Sequence, residues 1–124
     1  MSNSREKDGI NPIIDINAGE LEDYTTKGNP VLLMIWIKGC DQCRRFKPVF
    51  NQLPEHYPTA QFLSMNMYKT MDNLRLAENY EKETTPIILV FCRGEHHKTF
   101  IGYYSLENFK MKLDEVFNEN SCFS

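Results

Sequence analysis

The stretch "IWIKGCDQCRRFKP", Ile35 to Pro48, places two cysteines three positions apart, where an apolar run gives way to a basic one. The apolar run "VLLMIWI", Val31–Ile37, is partly β-branched and predicts a central strand that is covered on both faces. After the cysteines, apolar residues recur at helical spacing, and Pro48 inside that helix is expected to kink it. Cys40 and Cys43 are therefore predicted at the start of a helix. Three interpretations of the pair are open at this point: part of a metal site, a redox pair, or two unrelated thiols.

The rest of the chain alternates between predicted strands and helices. Strands are predicted at Pro12–Ile16, Gln61–Met67, Pro86–Cys92 and His97–Ile101, and helices at 18–27, Met71–Tyr80 and Leu106 to about Asn118. The order β-α-β-α-β-α-β-β-α predicts an α/β fold. We expect a three-layer α/β/α sandwich whose mixed central sheet ends in a C-terminal β-hairpin, followed by a final helix.

Length and composition indicate one ordinary globular domain over residues 1–124, with 1–10 flexible and 119–124 a tail. A net charge of −3 argues against nucleic acid or an anionic membrane as the main partner. No apolar run approaches the roughly 20 residues of a membrane span, so no membrane partner is expected. The polar start "MSNSREKDG" lacks the apolar core of a signal peptide, which predicts a cytoplasmic protein.

A structural zinc site at the cysteine pair needs two further ligands nearby. The candidates are Cys92, His96 and His97, but Cys92 lies six residues along a strand from Pro86, roughly 20 Å from the pair. We therefore expect no metal within the chain. Cys92 is predicted to be an ordinary strand residue and Cys122 a free thiol in the tail, because four cysteines are too few for a disulfide framework.

These features together resemble the thioredoxin family from about Pro12 to Phe117. The resemblance is carried by the C-x-x-C at a helix start, Trp36, Pro48, the pair Thr85-Pro86 that opens the next-to-last strand, and Gly102 before the last helix. A bare C-x-x-C is weak evidence, whereas several features in the same order and spacing are strong evidence.

The resemblance implies a thiol–disulfide oxidoreductase that needs no cofactor. Cys40 would attack a disulfide and Cys43 would resolve the mixed disulfide. The residues themselves favour this order, because Cys40 lies at the positive end of a helix beside Lys38, and both favour its thiolate. The implied partners are disulfide-containing protein substrates and an electron donor such as a thioredoxin reductase or glutathione, with the chain acting as a monomer.

The resemblance also implies a substrate groove beside the cysteines. Its expected lining is Thr85, Pro86, Lys38, Gly39 and Gly102, with a cis peptide bond between Thr85 and Pro86. In this arrangement the backbone of the residue before the proline contacts the substrate peptide.

The chain departs from the family pattern near the cysteines. Gly39 stands where thioredoxins have tryptophan, Asp41 and Gln42 where they have glycine and proline, and Met34 where they have a buried aspartate. These departures leave open a thioredoxin-like binding or assembly module with little turnover. They also leave open an iron–sulfur cluster that two chains share through two cysteine pairs.

Overall fold

The computed structural model describes residues 12–81 and 84–123, so the predicted flexible segment 1–10 lies outside the described residues. A five-stranded sheet lies between two layers of helices, and the predicted α/β fold class is confirmed. The described residues contain no helix long and apolar enough to cross a bilayer. The strands are β1 (Ile14–Asp15), β2 (Val31–Trp36), β3 (Gln61–Asn66), β4 (Ile87–Cys92) and β5 (Glu95–Ile101), and the α-helices are α1 (Leu21–Thr25), α2 (Asp41–His56), α3 (Met71–Glu78) and α4 (Leu106–Glu119).

The strands are arranged in the order β1-β3-β2-β4-β5. β3 pairs in parallel with β1 and β2, whereas β4 is antiparallel to both β2 and β5. Since β2 and β4 run in opposite directions, β2 ends at the edge of the sheet where β4 begins, with Ile35 opposite Ile87. The C-x-x-C motif follows β2 and Thr85-Pro86 precedes β4, so the topology brings these two segments to the same edge.

Both faces of the sheet are covered, which explains the continuous apolar run of β2. Leu32 and Met34 pack in the core on the side of α2 and α4, whereas Leu33 and Ile35 pack on the side of α1 and α3. All four side chains are at most 4% exposed. A strand buried on both faces needs no polar alternation, as the sequence predicts.

The helix that follows the motif buries the face predicted from its spacing. Phe46, Phe50 and Leu53 have no exposed surface, and Pro48 is exposed on the opposite side. Burying a large apolar side chain contributes about 1.5–3 kcal/mol, so this face anchors α2 to the sheet. The anchoring fixes the position of the cysteines at its N-terminus.

The first helical segment differs from its prediction. Residues 18–27 were expected to form one helix, but a 3-10 turn at Ala18–Glu20 precedes the short α1. The predicted capping interaction is present, since the backbone N–H of Asn17 donates to Glu20 Oε1 at 2.8 Å. Asn17 Oδ1 also accepts a bond from the buried amide of Asn73, which ties the turn to α3.

The hairpin begins two residues earlier than predicted. β5 was expected to start at His97, but Glu95 already pairs with Cys92. Arg93 and Gly94 both have positive φ, 51° and 82°, which is the conformation of the tightest hairpin turns. The two-residue turn leaves no loop between the strands.

The C-terminal segment after α4 is packed against the hairpin. Cys122 is 7% exposed and forms a disulfide with Cys92, with a Cα–Cα distance of 5.5 Å. The guanidinium of Arg93 donates to the carbonyl oxygens of Asn120 and Ser121 at 2.7 and 2.8 Å. The expectation of a free tail thiol at Cys122 is wrong, because α4 ends beside the hairpin turn and delivers the next residues to the end of β4.

Candidate active site

The two cysteines of the motif occupy the first turn of α2. Cys40 is the N-cap residue in an extended conformation, and its Sγ accepts a hydrogen bond from the backbone N–H of Cys43 at 3.1 Å. The Cα atoms are 5.2 Å apart and the two sulfurs are joined in a disulfide. A separation of three residues at a helix start therefore gives a geometry that can open and close a disulfide.

The two sulfurs differ in their access to solvent. Cys40 is partly exposed at the edge of the sheet, whereas Cys43 is only 6% exposed beneath the first turn. The free N–H groups and the dipole at a helix N-terminus favour negative charge on the N-cap residue. This environment suits a nucleophilic thiolate at Cys40, with Cys43 shielded behind it.

Thr85 lies directly against Cys40. Its hydroxyl donates to Cys40 Sγ at 3.2 Å, and its carbonyl oxygen is 3.6 Å from the same sulfur. The Thr85–Pro86 peptide bond is cis, and Pro86 is buried. The structure thus brings together two segments that are 45 residues apart in the chain.

Gly102 lies on the same side of the motif. Its N–H donates to the carbonyl of Pro86 at 2.9 Å, and its φ is 87°. A Cβ at this position would lie 3.0 Å from Gln42 Oε1, so a side chain would be both strained and crowded. Cys40, Thr85, Pro86 and Gly102 therefore form one continuous patch.

Gln42 contributes to this patch, although the sequence analysis assigned it no role. Its Oε1 accepts a hydrogen bond from the backbone N–H of Tyr103 at 3.0 Å, which fastens the first turn of α2 to the loop before α4. The guanidinium of Arg45 lies 4.8 Å from the centre of the Tyr103 ring. The sequence did offer one indication of this role, because Gln42 has a side-chain amide that can form hydrogen bonds where the thioredoxin pattern has proline.

The two tyrosines after Gly102 differ in exposure. Tyr104 is half-buried, and its ring lies 5.7 Å from that of Phe100 and 5.5 Å from that of Phe109. Tyr103 is 39% exposed at the patch. Tyr103 is thus the more accessible of the two rings.

Lys38 and Gly39 lie on the other flank of the motif. Both are exposed, and they line a cavity of about 480 Å³ whose lining includes both cysteines but not Thr85, Pro86 or Gly102. Met34 also lines this cavity and is 4% exposed. An apolar thioether thus occupies the place where the resemblance puts a carboxylate.

Asp41, which follows the first cysteine, forms an ion pair with Arg44 on the surface of α2. Both side chains are more than half exposed, so the pair adds little to stability. It does offset part of the unfavourable effect of the Asp41 carboxylate on a neighbouring thiolate. Within residues 12–81 and 84–123, no three His, Cys, Asp or Glu side chains form a cluster that could hold a metal ion.

A family model named Thioredoxin matches residues 13–115, most of the chain. The chain belongs to the thioredoxin family. A thioredoxin of Mycoplasma genitalium is 27% identical over 99 residues, which cover 80% of this chain and 90% of that protein. A thioredoxin of Pyropia yezoensis is 32% identical over 73 residues, which cover 59% of this chain and 66% of that protein.

Solved structures of thioredoxins share the fold. A mutant thioredoxin from Halobacterium salinarum superposes with a TM-score of 0.71 at 23% identity, covering 85% of this chain and 89% of that one. The short form of thioredoxin F from spinach chloroplast gives 0.75 at 16% identity, covering 86% and 95%. Family membership together with the C-x-x-C pair supports thiol–disulfide oxidoreductase activity.

Proposed function

We propose that this protein exchanges disulfides with protein substrates through Cys40 and Cys43. The observation that carries the proposal is the asymmetry of the pair. Cys40 is a partly exposed N-cap residue that receives hydrogen bonds from Cys43 N–H and the Thr85 hydroxyl, whereas Cys43 is buried. Attack and resolution need one accessible and one shielded thiol, respectively.

In the reduced protein, the Cys40 thiolate attacks one sulfur of a substrate disulfide. A mixed disulfide forms and the other substrate sulfur leaves as a thiolate. The Cys43 thiolate then displaces the remaining substrate sulfur and forms the Cys40–Cys43 disulfide. The two cysteines supply both electrons, and a donor such as a thioredoxin reductase or glutathione returns them, without an organic cofactor.

The proposed substrate groove consists of the patch around Thr85, Pro86 and Gly102, with Lys38 and Gly39 on the far side of Cys40. The Thr85 carbonyl, 3.6 Å from the sulfur of Cys40, lies where an extended substrate could run alongside it. We further propose that the protein acts as a monomer in the cytoplasm, where the pair would be kept reduced between turnovers.

Reduction of a disulfide-bonded protein, with dithiothreitol recycling the enzyme, tests the proposal. The wild type should accelerate reduction, and Cys40→Ser should lower the rate to that of dithiothreitol alone. The matched control is Cys92→Ser/Cys122→Ser, which removes the other two cysteines and should retain the activity. A wild type no faster than dithiothreitol alone would contradict the proposal.

A binding module with slow turnover is the second candidate, and a specific observation favours it. Met34 places an apolar side chain in the cavity beside Cys43, and the one acidic lining residue, Asp15, lies two strands away from Met34. Such a protein would still form a mixed disulfide through Cys40 but would resolve it slowly. The ratio of the attack rate to the resolution rate, measured under single-turnover conditions, distinguishes the two.

A further inference from the structure

The cavity lined by Lys38 and Gly39 lies on the flank of the motif away from Thr85. It has a volume of about 480 Å³, within the roughly 300–1,000 Å³ that is typical of small-molecule sites. Its lining comes from β1, β2, β3, the loop before α2 and α2 itself, whereas Thr85 precedes β4. Because β4 lies on the opposite side of β2 from β3, the cavity and Thr85 lie on opposite flanks of the motif, and Cys40 and Cys43 themselves form the boundary between them.

The floor of the cavity is a row of three residues across the sheet. Asp15, Ser64 and Met34 are consecutive partners on β1, β3 and β2, and all three line the cavity. Ser64 leaves space in the middle of this row because its side chain is small. Its hydroxyl accepts a hydrogen bond from Trp36 Nε1 at 2.9 Å, which holds the indole in place. Phe50 of α2 lies behind the lining and has no exposed surface of its own.

The lining combines this apolar interior with an excess of positive charge. Lys38, Arg44 and Lys47 line the cavity and Asp15 is the one acidic residue among the lining residues. Within residues 12–81 and 84–123, Arg44 pairs with Asp41 and neither Lys38 nor Lys47 has an ion pair, so these two lysines are the cations available to a ligand. This local excess stands out in a chain whose net charge is −3.

We propose that the cavity binds a small amphiphilic anion, of the class of aromatic or medium-chain carboxylates and sulfonates. The apolar body would pack against Trp36 and Met34, and the acid group would pair with Lys38 and Lys47 at the rim. The cavity adjoins both cysteines, but the proposal does not depend on disulfide exchange, since binding is measured on the oxidised protein without turnover.

Trp36 makes the proposal directly measurable, because it is the single tryptophan of the chain and lines the cavity. The full-length oxidised protein is titrated with anilinonaphthalene sulfonate, an aromatic body with one acid group. Saturable quenching of the Trp36 emission, in step with a rise in dye emission, is expected. N-phenylnaphthylamine, which has the same aromatic body without the acid group, should bind more weakly.

The double variant Lys38→Gln/Lys47→Gln should bind the dye roughly fivefold more weakly or worse, as expected for the loss of two exposed ion pairs. The matched control Lys69→Gln/Lys112→Gln removes two exposed lysines elsewhere and should bind as the wild type does. All four side chains are on the surface, so both variants should fold. Equal loss in the two double variants, or a rise in dye emission without quenching of Trp36, would overturn the proposal.

Discussion

Met34 bears most directly on how Cys43 becomes a thiolate. It lines the cavity beside Cys43, and its thioether is not a base that could take up the thiol proton. The proton of Cys43 must therefore pass to solvent or to a more distant group during resolution. We therefore expect the identity of this one buried residue to affect the rate at which Cys43 resolves the mixed disulfide.

Met34→Asp should speed resolution of the mixed disulfide, roughly tenfold or more, because general-base catalysis contributes at least that much. It should also lower the free energy of unfolding by about 2–4 kcal/mol, since a carboxylate replaces a buried apolar side chain. Met34→Asn is the control, being similarly polar but not a base. An unchanged rate of resolution in Met34→Asp would mean that solvent already accepts the proton efficiently.

Gln42 fixes the loop before α4 through one hydrogen bond to the backbone N–H of Tyr103. Gln42→Ala should expose this amide to solvent and accelerate its hydrogen exchange, with a stability cost of about 0.5–1.5 kcal/mol. Gln42→Glu keeps an acceptor oxygen of the same reach and should preserve the protection. Nuclear magnetic resonance exchange rates of the Tyr103 amide provide the measurement, and equal rates in Gln42→Ala and the wild type would contradict this role.

The residues of the site differed in how far they could be predicted. Cys40 and Cys43 could be identified because their chemistry depends on local spacing and on a helix start. The partner of Gln42 could not, because its hydrogen bond spans 61 residues and ends on a backbone group that leaves no trace in the sequence. The hydroxyl contact of Thr85 with Cys40 was also missed, because it joins two side chains that are 45 residues apart in the chain.

At the scale of elements, the segment after α4 is the clearest departure from expectation. Cys122 in this segment forms the disulfide with Cys92, and two of the segment's backbone carbonyls accept hydrogen bonds from the guanidinium of Arg93. The disulfide links the end of the last helix to the hairpin, across 30 residues of chain. The pairing could not be read from spacing, because nothing local joins a strand residue to a cysteine that follows a helix.

Cys122→Ser should lower the free energy of unfolding by about 3–4 kcal/mol under oxidising conditions, since the cross-link restricts the unfolded chain over a loop of 30 residues. Urea unfolding of both proteins with and without dithiothreitol measures the effect. The difference should nearly vanish in dithiothreitol, which opens the disulfide of the wild type. A difference of the same size in both conditions would attribute the loss to packing rather than to the cross-link.

Elements with strong internal patterns were predicted well and short ones were not. β2 was predicted at Val31–Ile37 and spans Val31–Trp36, and the face that α2 buries follows the spacing of its apolar residues. β1 was predicted to span five residues and spans two, Ile14–Asp15, because β3 pairs with it only there. The first helix divides into a 3-10 turn and α1 since too few turns exist to enforce regular helix geometry.

For the whole molecule, the alternation of strands and helices predicted the layers, and the motif order predicted the family. The direction of β4 matters most for function, because it runs antiparallel to β2 and starts at the edge where β2 ends. A parallel β4 would place Thr85 at the far edge of the sheet, away from Cys40. The fold therefore builds the candidate site from two segments that only the topology brings together.

The proposed mechanism assigns attack to Cys40 and resolution to Cys43. Mass spectrometry of the reduced single variants, in a Cys92→Ser/Cys122→Ser background and after incubation with a disulfide-bonded peptide, tests it most directly. Cys43→Ser should accumulate one peptide adduct per chain on Cys40, because no thiol remains to displace it, and Cys40→Ser should accumulate none. An adduct on Cys43 in the Cys40→Ser variant, or no adduct in either variant, would contradict the claim.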